Sequence, residues 1–246
     1  MRTFVGKYMK NKGYIFDYGG TLDTCGCHWG KVLWHAYEYV GVPVSEEQFR
    51  EAYVYAERYL GTHPVVKPTF TFRQTLETKL ELELAHLSML SGKELGSCKS
   101  ALLEKLYADV TATTAHSREV LRALKEDYPM VLVSNFYGNI AVVLCEFGLD
   151  MLFDRVIESA VVGIRKPDPQ IFALGVEALG MKPSDVAVVG DSFSKDILPA
   201  RQIGCQTIWF KGEGWTDESE DETIPDKIIT DLSDLIEDTI NTNKKR

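Results

Sequence analysis

The chain has 246 residues, 45% of them hydrophobic, with a formal net charge of -9 and a sequence pI of about 5.1. That is enough apolar material for a full core and for two domains of unequal size. The acidic balance leaves no basic stripe for a nucleic-acid backbone, and no stretch supplies the ~20 apolar residues of a membrane span.

Met1 to Lys12 carries Arg2, Lys7, Lys10 and Lys12 but no sustained apolar run, which is not the pattern of a secretory signal. Five scattered cysteines, an odd number in a chain large enough to fold without disulfides, fit a reducing cytoplasm. Tyr14-Ile15-Phe16 reads as the end of a buried strand, and Asp17 follows where Gly19 and Gly20 turn the chain. An acid at a strand's carboxyl end is where open α/β sheets hold ligands, although an Asp beside Gly-Gly also simply forms turns. Cys25-Gly26-Cys27-His28 offers metal-ligand types without the second pair that a structural zinc site requires, so it reads as a loop with reduced thiols.

Beyond Asp23 the pattern is helical. Trp29, Val32, Leu33, Ala36, Tyr37 and Val40 form one apolar face that ends at Gly41 and Pro43. Ser45 to Gln48 has the form of a capping box, and Phe49, Ala52, Tyr53, Ala56 and Tyr59 continue to Gly61. Pro64 and Pro68 place a loop over 62–69. A third helix over Phe72 to Leu87 follows, with the long stems of Lys79 and Glu83 expected to flank its apolar stripe. Gly92 and Gly96 precede a fourth helix around Ala101 to Val110. The absence of strand-like alternation predicts an all-helical insertion, a small bundle.

From Ser117 helices and strands alternate. Val120, Leu121 and Leu124 mark a helix, Met130 to Val133 a strand ending at Ser134-Asn135, and Ile140 to Phe147 a helix closed by Gly148. Arg155 to Glu158 is a short strand. Asp168 is expected as N-cap, with Pro169 first in the next helix. Val186 to Val189 ends at Gly190-Asp191, a helix from about Asp196 reaches Ile203, and a strand spans Gln206 to Phe210. A last strand and helix run from Lys227 to Ile240, after the acidic loop Asp217 to Glu222. The alternation predicts an α/β fold, a doubly wound parallel sheet with right-handed crossovers.

Asp17, Ser134, Lys166 and Asp191 each fall at a strand end or helix start, so one crevice can collect them. In this order, with a helical insertion directly after the first, they resemble the haloacid dehalogenase superfamily of hydrolases, in its subclass with a helical cap. The resemblance implies a core of residues 1–22 and 113–246 with a cap of residues 23–112. It implies Asp17 as a nucleophile forming an aspartyl-phosphate, and Lys166 as the cation beside it. Phosphoryl oxygens would be held by Ser134, Asn135, Thr21 and Lys166, and Mg²⁺ by Asp17, Asp191 and the Gly19 carbonyl, with Asp196 in support. The expected substrate is a small phosphorylated metabolite.

The first motif, Asp17-Tyr18-Gly19-Gly20-Thr21, departs from the family's usual D-x-D-x-T, because Gly19 stands where a general acid/base Asp is common. That removes the group that would protonate the leaving oxygen, leaving water, the substrate or a group near the loop after Leu22 (Tyr18 and His28 being near in sequence). A positive φ at Gly19 is one reason a glycine could be required there. Two alternatives share these residues: a metal-independent 2-haloacid dehalogenase and a weakly active binding or regulatory protein. Trp29, His28, Arg58, His63, Lys67 and Arg73 are the insertion's candidate substrate contacts, with packing or solvation as their ordinary roles.

Overall fold

The protein is described by a computed structural model covering residues 11–216 and 219–236. Its sheet has six strands, β1 (Gly13–Phe16), β2 (Met130–Ser134), β3 (Arg155–Glu158), β4 (Val186–Gly190), β5 (Gln206–Phe210) and β6 (Lys227–Ile229). They lie in the order β3-β2-β1-β4-β5-β6, and every neighbouring pair is parallel. The α/β expectation therefore holds.

Alternation along the strands divides the core. Tyr14, Phe16, Met130, Leu132, Ala187 and Val189 face one apolar cluster, while Ile15, Val131, Val133, Val186 and Val188 face another, as a sheet covered on both faces requires. The second face is closed by α7 (Gln170–Leu179), which buries Ile171, Phe172 and Val176. At the head of α7 the Asp168 carboxylate accepts from the Gln170 N–H at 2.9 Å, while the helix itself begins one residue later than expected, at Gln170 with Pro169 as its N-cap.

The insertion contains α1 (Trp29–Val40), α2 (Glu46–Thr62), α3 (Phe72–Ser91) and the first half of α4 (Lys99–Lys125). The expected capping box at Ser45 is present, and Thr71 with Gln74 forms a second one at the start of α3. Further helices among the described residues are α5 (Ile140–Glu146), α6 (Ser159–Val162) and α8 (Leu198–Gln202).

Three further expectations are corrected. The two helices read around residues 101–110 and 120–124 are one, α4, which runs unbroken from Lys99 to Lys125. Its earlier half buries Leu102, Leu103 and Leu106 and its later half Val120, Leu121 and Leu124, in one shared cluster. Lys79 and Glu83 do not snorkel from α3: both are buried, at 7% and 0% exposure. Winding after β4 starts at Phe193 as a π-turn to Ile197, with Ser192 as its cap, so Asp196 lies within the turn. The residues expected to complete the last helix to Ile240, as well as Asp217, Glu218 and the first ten residues, lie outside the described set.

Candidate active site

Register brings the chemistry together. Phe16 is level with Leu132 of β2 and Val189 of β4, so Asp17, Ser134 and Asp191 emerge at one edge of the sheet. Asp17 is 5% exposed, and its Oδ1 lies 2.5 Å from the Lys166 ammonium, which is 4% exposed. The same ammonium donates to Asp196 Oδ1 at 2.7 Å. Asp196 Oδ2 accepts from the Ser192 N–H, so both oxygens of this carboxylate are engaged, one on Lys166 and one on the backbone that opens the turn. Gly190 allows this approach, since a Cβ there would stand 2.5 Å from that of Asp196.

Carboxylate oxygens of Asp17, Asp191 and Asp196 lie within 4.8 Å of one another. Burial pushes Asp17 up to about 6; Lys166 offsets this in part and Asp196 adds to it. Burial also drives Asp191 well above the usual carboxylate range, with Asp196 and Asp17 adding to the rise. For Lys166 burial pulls downward, but Asp17 and Asp196 outweigh it and hold the ammonium charged.

Two residues expected to hold phosphoryl oxygens also bond to other residues of the site. Thr21 Oγ1 accepts from the Asp191 N–H at 3.0 Å and donates to Asp191 Oδ1 at 3.2 Å, so its hydroxyl orients that acid. The Asn135 carboxamide clamps the Lys166 backbone, donating to its carbonyl at 3.0 Å and accepting from its N–H at 2.9 Å. Ser134 is buried at the end of β2; the wall there is built by Asn135, Phe136 and Tyr137.

The cleft encloses about 190 Å³ between the acids and the helical insertion. Of the expected contacts from the insertion, Trp29 and His28 line it. Arg58 and His63 line a neighbouring groove, Lys67 lies over the Phe70 ring, and Arg73 is drawn off to Glu104. His28 caps α1, its Nδ1 accepting from the Gly30 N–H at 3.0 Å. Burial, with Lys195 and Lys79 nearby, pulls its ring down to about 4. The imidazole is thus neutral with its proton on Nε2. Among the described residues the three-acid cluster is the group with metal-ligand geometry, and Cys25 and Cys27 form no part of it.

Asp23, Tyr53, Glu57 and Tyr137 are among the lining residues that the sequence does not mark as belonging to the site. Lys79 is ion-paired with Glu57 inside the same wall and stands over the Tyr53 ring. Asp23 is 1% exposed. Its Oδ1 accepts from the Gly20 N–H at 2.7 Å and its Oδ2 from the Trp29 indole N–H at 3.0 Å. The Asp after a Gly-Gly turn is visible in the sequence, but its direction is not.

A parallel α/β sheet with acids and a lysine at its carboxyl edge, under a helical insertion, defines a class of hydrolases. Residues 12–204 match the model of the haloacid dehalogenase-like hydrolases, and the chain belongs to that family. A glyceraldehyde 3-phosphate phosphatase of Pyrococcus furiosus is 36% identical over 90 residues, 36% of this chain and 38% of that protein. A phosphoserine phosphatase of Thermus thermophilus is 38% identical over 88 residues, 36% of this chain and 34% of its own. The aligned segments thus span well under half the length of these relatives. The crystal structure of a dehalogenase with an intermediate complex superposes with a TM-score of 0.60 at 20% identity, covering 92% of this chain and 96% of that one, which shows the shared fold. No helix among the described residues is long and apolar enough to cross a membrane.

Proposed function

We propose that the protein is a cytoplasmic, magnesium-dependent phosphatase of small phosphorylated metabolites, acting through an aspartyl-phosphate on Asp17. The observation that carries this reading is the contact of Asp17 with Lys166 in a cleft shared with Asp191 and Asp196. Asp17 attacks phosphorus with the oxygen that points along Lys166, and the ammonium offsets charge on both nucleophile and transferring group, a term that grows as water is excluded. Asn135 and Asp196 keep Lys166 in place, and Thr21 does the same for Asp191. Residues 23–112 act as the cap that reads the leaving group, and the remainder as the core. Ser134 stays a candidate for holding phosphoryl oxygens.

The donor set fits a hard dication. Three carboxylates converge around one ammonium, and the crowding that pushes Asp191 upward is what an ion of this kind relieves. Asp17, Asp191 and the Gly19 carbonyl would hold Mg²⁺, whose contribution is to neutralise charge on the phosphoryl oxygens. Both relatives named above are phosphatases of small phosphorylated molecules, which supports the substrate class. The dehalogenase alternative would release a halide beside three acids, and that charge arrangement disfavours it.

Asp17→Asn keeps the shape of the side chain but cannot form the acyl phosphate. Hydrolysis of aryl phosphates is expected to vanish while the melting temperature stays close to that of the parent. Turnover surviving this change would place the reaction elsewhere.

A further inference from the structure

Gly19 leaves the proposed phosphatase without an acid at the usual place, and the structure shows what stands beside the gap. Gly19 does not have the positive φ that would require glycine; that conformation belongs to Gly20, at 97°. A Cβ built on Gly19 would meet the Trp29 indole, 3.8 Å from Nε1 and 3.9 Å from Cδ1, at ordinary contact distance. The space is therefore open. The same Nε1 donates to Asp23 Oδ2 at 3.0 Å, so one indole N–H links the Gly19 position to the Asp23 carboxyl, which lies beyond 4 Å from the built Cβ and lines the same cleft as Asp17 and Gly19.

We propose that Asp23 is the general acid and base of the reaction, delivering its proton to the leaving oxygen from the cleft lining that it shares with Asp17 and Gly19. The proposal rests on the phosphatase reading. In the first step an Asp17 oxygen forms a bond to phosphorus and the bond from phosphorus to the ester oxygen breaks. The departing oxygen takes the electron pair and the Asp23 proton, and leaves as an alcohol. In the second, the Asp23 carboxylate takes a proton from water as that water's oxygen bonds to phosphorus. The Asp17–phosphorus bond breaks, phosphate departs and Asp23 is again protonated.

Fixing the turn explains the bond from the Gly20 N–H. It does not explain why an ionisable group, rather than Ser or Asn, is 1% exposed in a cleft wall with its second oxygen held by an indole. Burial raises Asp23 to about 7, against the pull of the Gly20 and Trp29 donors toward the anion, so both protonation states are within reach at neutral pH. The competing donors are poorly placed. Tyr18 is fully buried with its hydroxyl unpartnered, and it is not among the residues that line the cleft. His28 is neutral and holds its remaining proton on a weakly acidic ring.

The test is a plot of log(kcat/KM) against leaving-group pKa for a series from 4-nitrophenyl phosphate to simple alkyl phosphates, with Mg²⁺ present. The parent plot is expected to be shallow. In Asp23→Asn, 4-nitrophenyl phosphate should lose only a few-fold and alkyl phosphates ~10²–10⁴-fold. Adding Gly19→Asp to that variant should restore alkyl turnover, because the vacated volume accepts the side chain. A steep parent plot overturns the proposal without any variant. Equal losses across the series in Asp23→Asn, steepening produced by His28→Gln instead, or a double variant as steep as the single one overturn it too. A parent inactive on every phosphate removes the phosphatase reading and the proposal with it, whereas any of the other adverse results leaves that reading standing.

Discussion

Around Lys166 the charges do not balance: one ammonium faces Asp17 at 2.5 Å and Asp196 at 2.7 Å, and Asp191 adds a third acid. An uncompensated carboxylate in a buried place is costly. Asp191 is nevertheless held firmly, by both hydrogen bonds of Thr21 and by the bare Cα of Gly20, where a Cβ would lie 2.4 Å from its carboxyl atoms. Such preorganisation of a charge that opposes folding points to a cation as its partner. Asp191→Asn is therefore expected to melt at or above the parent temperature without Mg²⁺, and to lose most of the rise that Mg²⁺ gives the parent. Its Mg²⁺ affinity should fall by at least ~10–100-fold, the loss usual even for groups behind a metal ligand. Thermal melts across a Mg²⁺ titration measure both effects, and an equal Mg²⁺-induced rise in the two proteins would remove Asp191 from the metal site.

Among the helices, α3 places charged groups where its apolar stripe should be. Glu83 is fully buried; Oε2 accepts from the Tyr37 hydroxyl at 3.1 Å, while Oε1 has no partner. Burial moves its carboxyl from an ordinary 4.5 up to about 7, with Lys79 and the Tyr37 bond pulling the other way. Between those values the native state holds a proton that the unfolded chain has released, so Glu83 makes stability fall as pH rises through this window. The full effect is at most roughly 3 kcal/mol. Urea unfolding at pH 5 and pH 8 should show a smaller drop for Glu83→Gln than for the parent, and equal drops would mean that Glu83 does not titrate there. This helix also marks the limit of what the sequence makes legible. Apolar runs ending in Asp17, Ser134 and Asp191 could be read because a parallel sheet aligns strand ends whatever else packs around them. The burial of Lys79 and Glu83 depends on partners that no local period encodes, Glu57 of α2 for the lysine and Tyr37 of α1 for the glutamate. Thr21 and Asn135 were visible as site residues, but their hydrogen-bond partners lie 170 and 31 positions away. Between the two helices read around residues 101–110 and 120–124, Thr111 and Thr114 bond back to the carbonyls of Tyr107 and Val110, and the helix continues.

For the molecule as a whole, the segment after β5 ties the sheet to the helical insertion. Trp215 packs on α1, where a Cβ at Gly30 would fall 2.0 Å from its ring. It lies 5.2 Å from the His28 ring and 4.9 Å from that of Tyr53. The Arg50 guanidinium stands 4.2 Å over it and donates through both terminal nitrogens to the Trp215 carbonyl at 3.1 Å. One residue of the core side thus engages the start of α1 and the cleft-facing side of α2, and Glu213 adds its carbonyl to the His28 N–H at 2.9 Å. His28, Trp29 and Tyr53 line the cleft, so the strap sets how closely the insertion sits over Asp17. Trp215→Ala leaves the backbone bonds but removes the ring and its cation–π contact, together on the order of 2 kcal/mol for a half-buried indole. The loss belongs to one junction, so amide exchange should quicken ~10–100-fold in residues 29–40 and 46–62 and stay unchanged in β1, β2 and β4. KM for phosphate esters should rise more than kcat falls, because the wall that holds the leaving group loosens while Asp17 and Lys166 keep their places. Exchange mass spectrometry with steady-state kinetics decides it. Protection lost equally in sheet and insertion would show that Trp215 supports the fold as a whole, and unchanged protection would show that the insertion is seated without it.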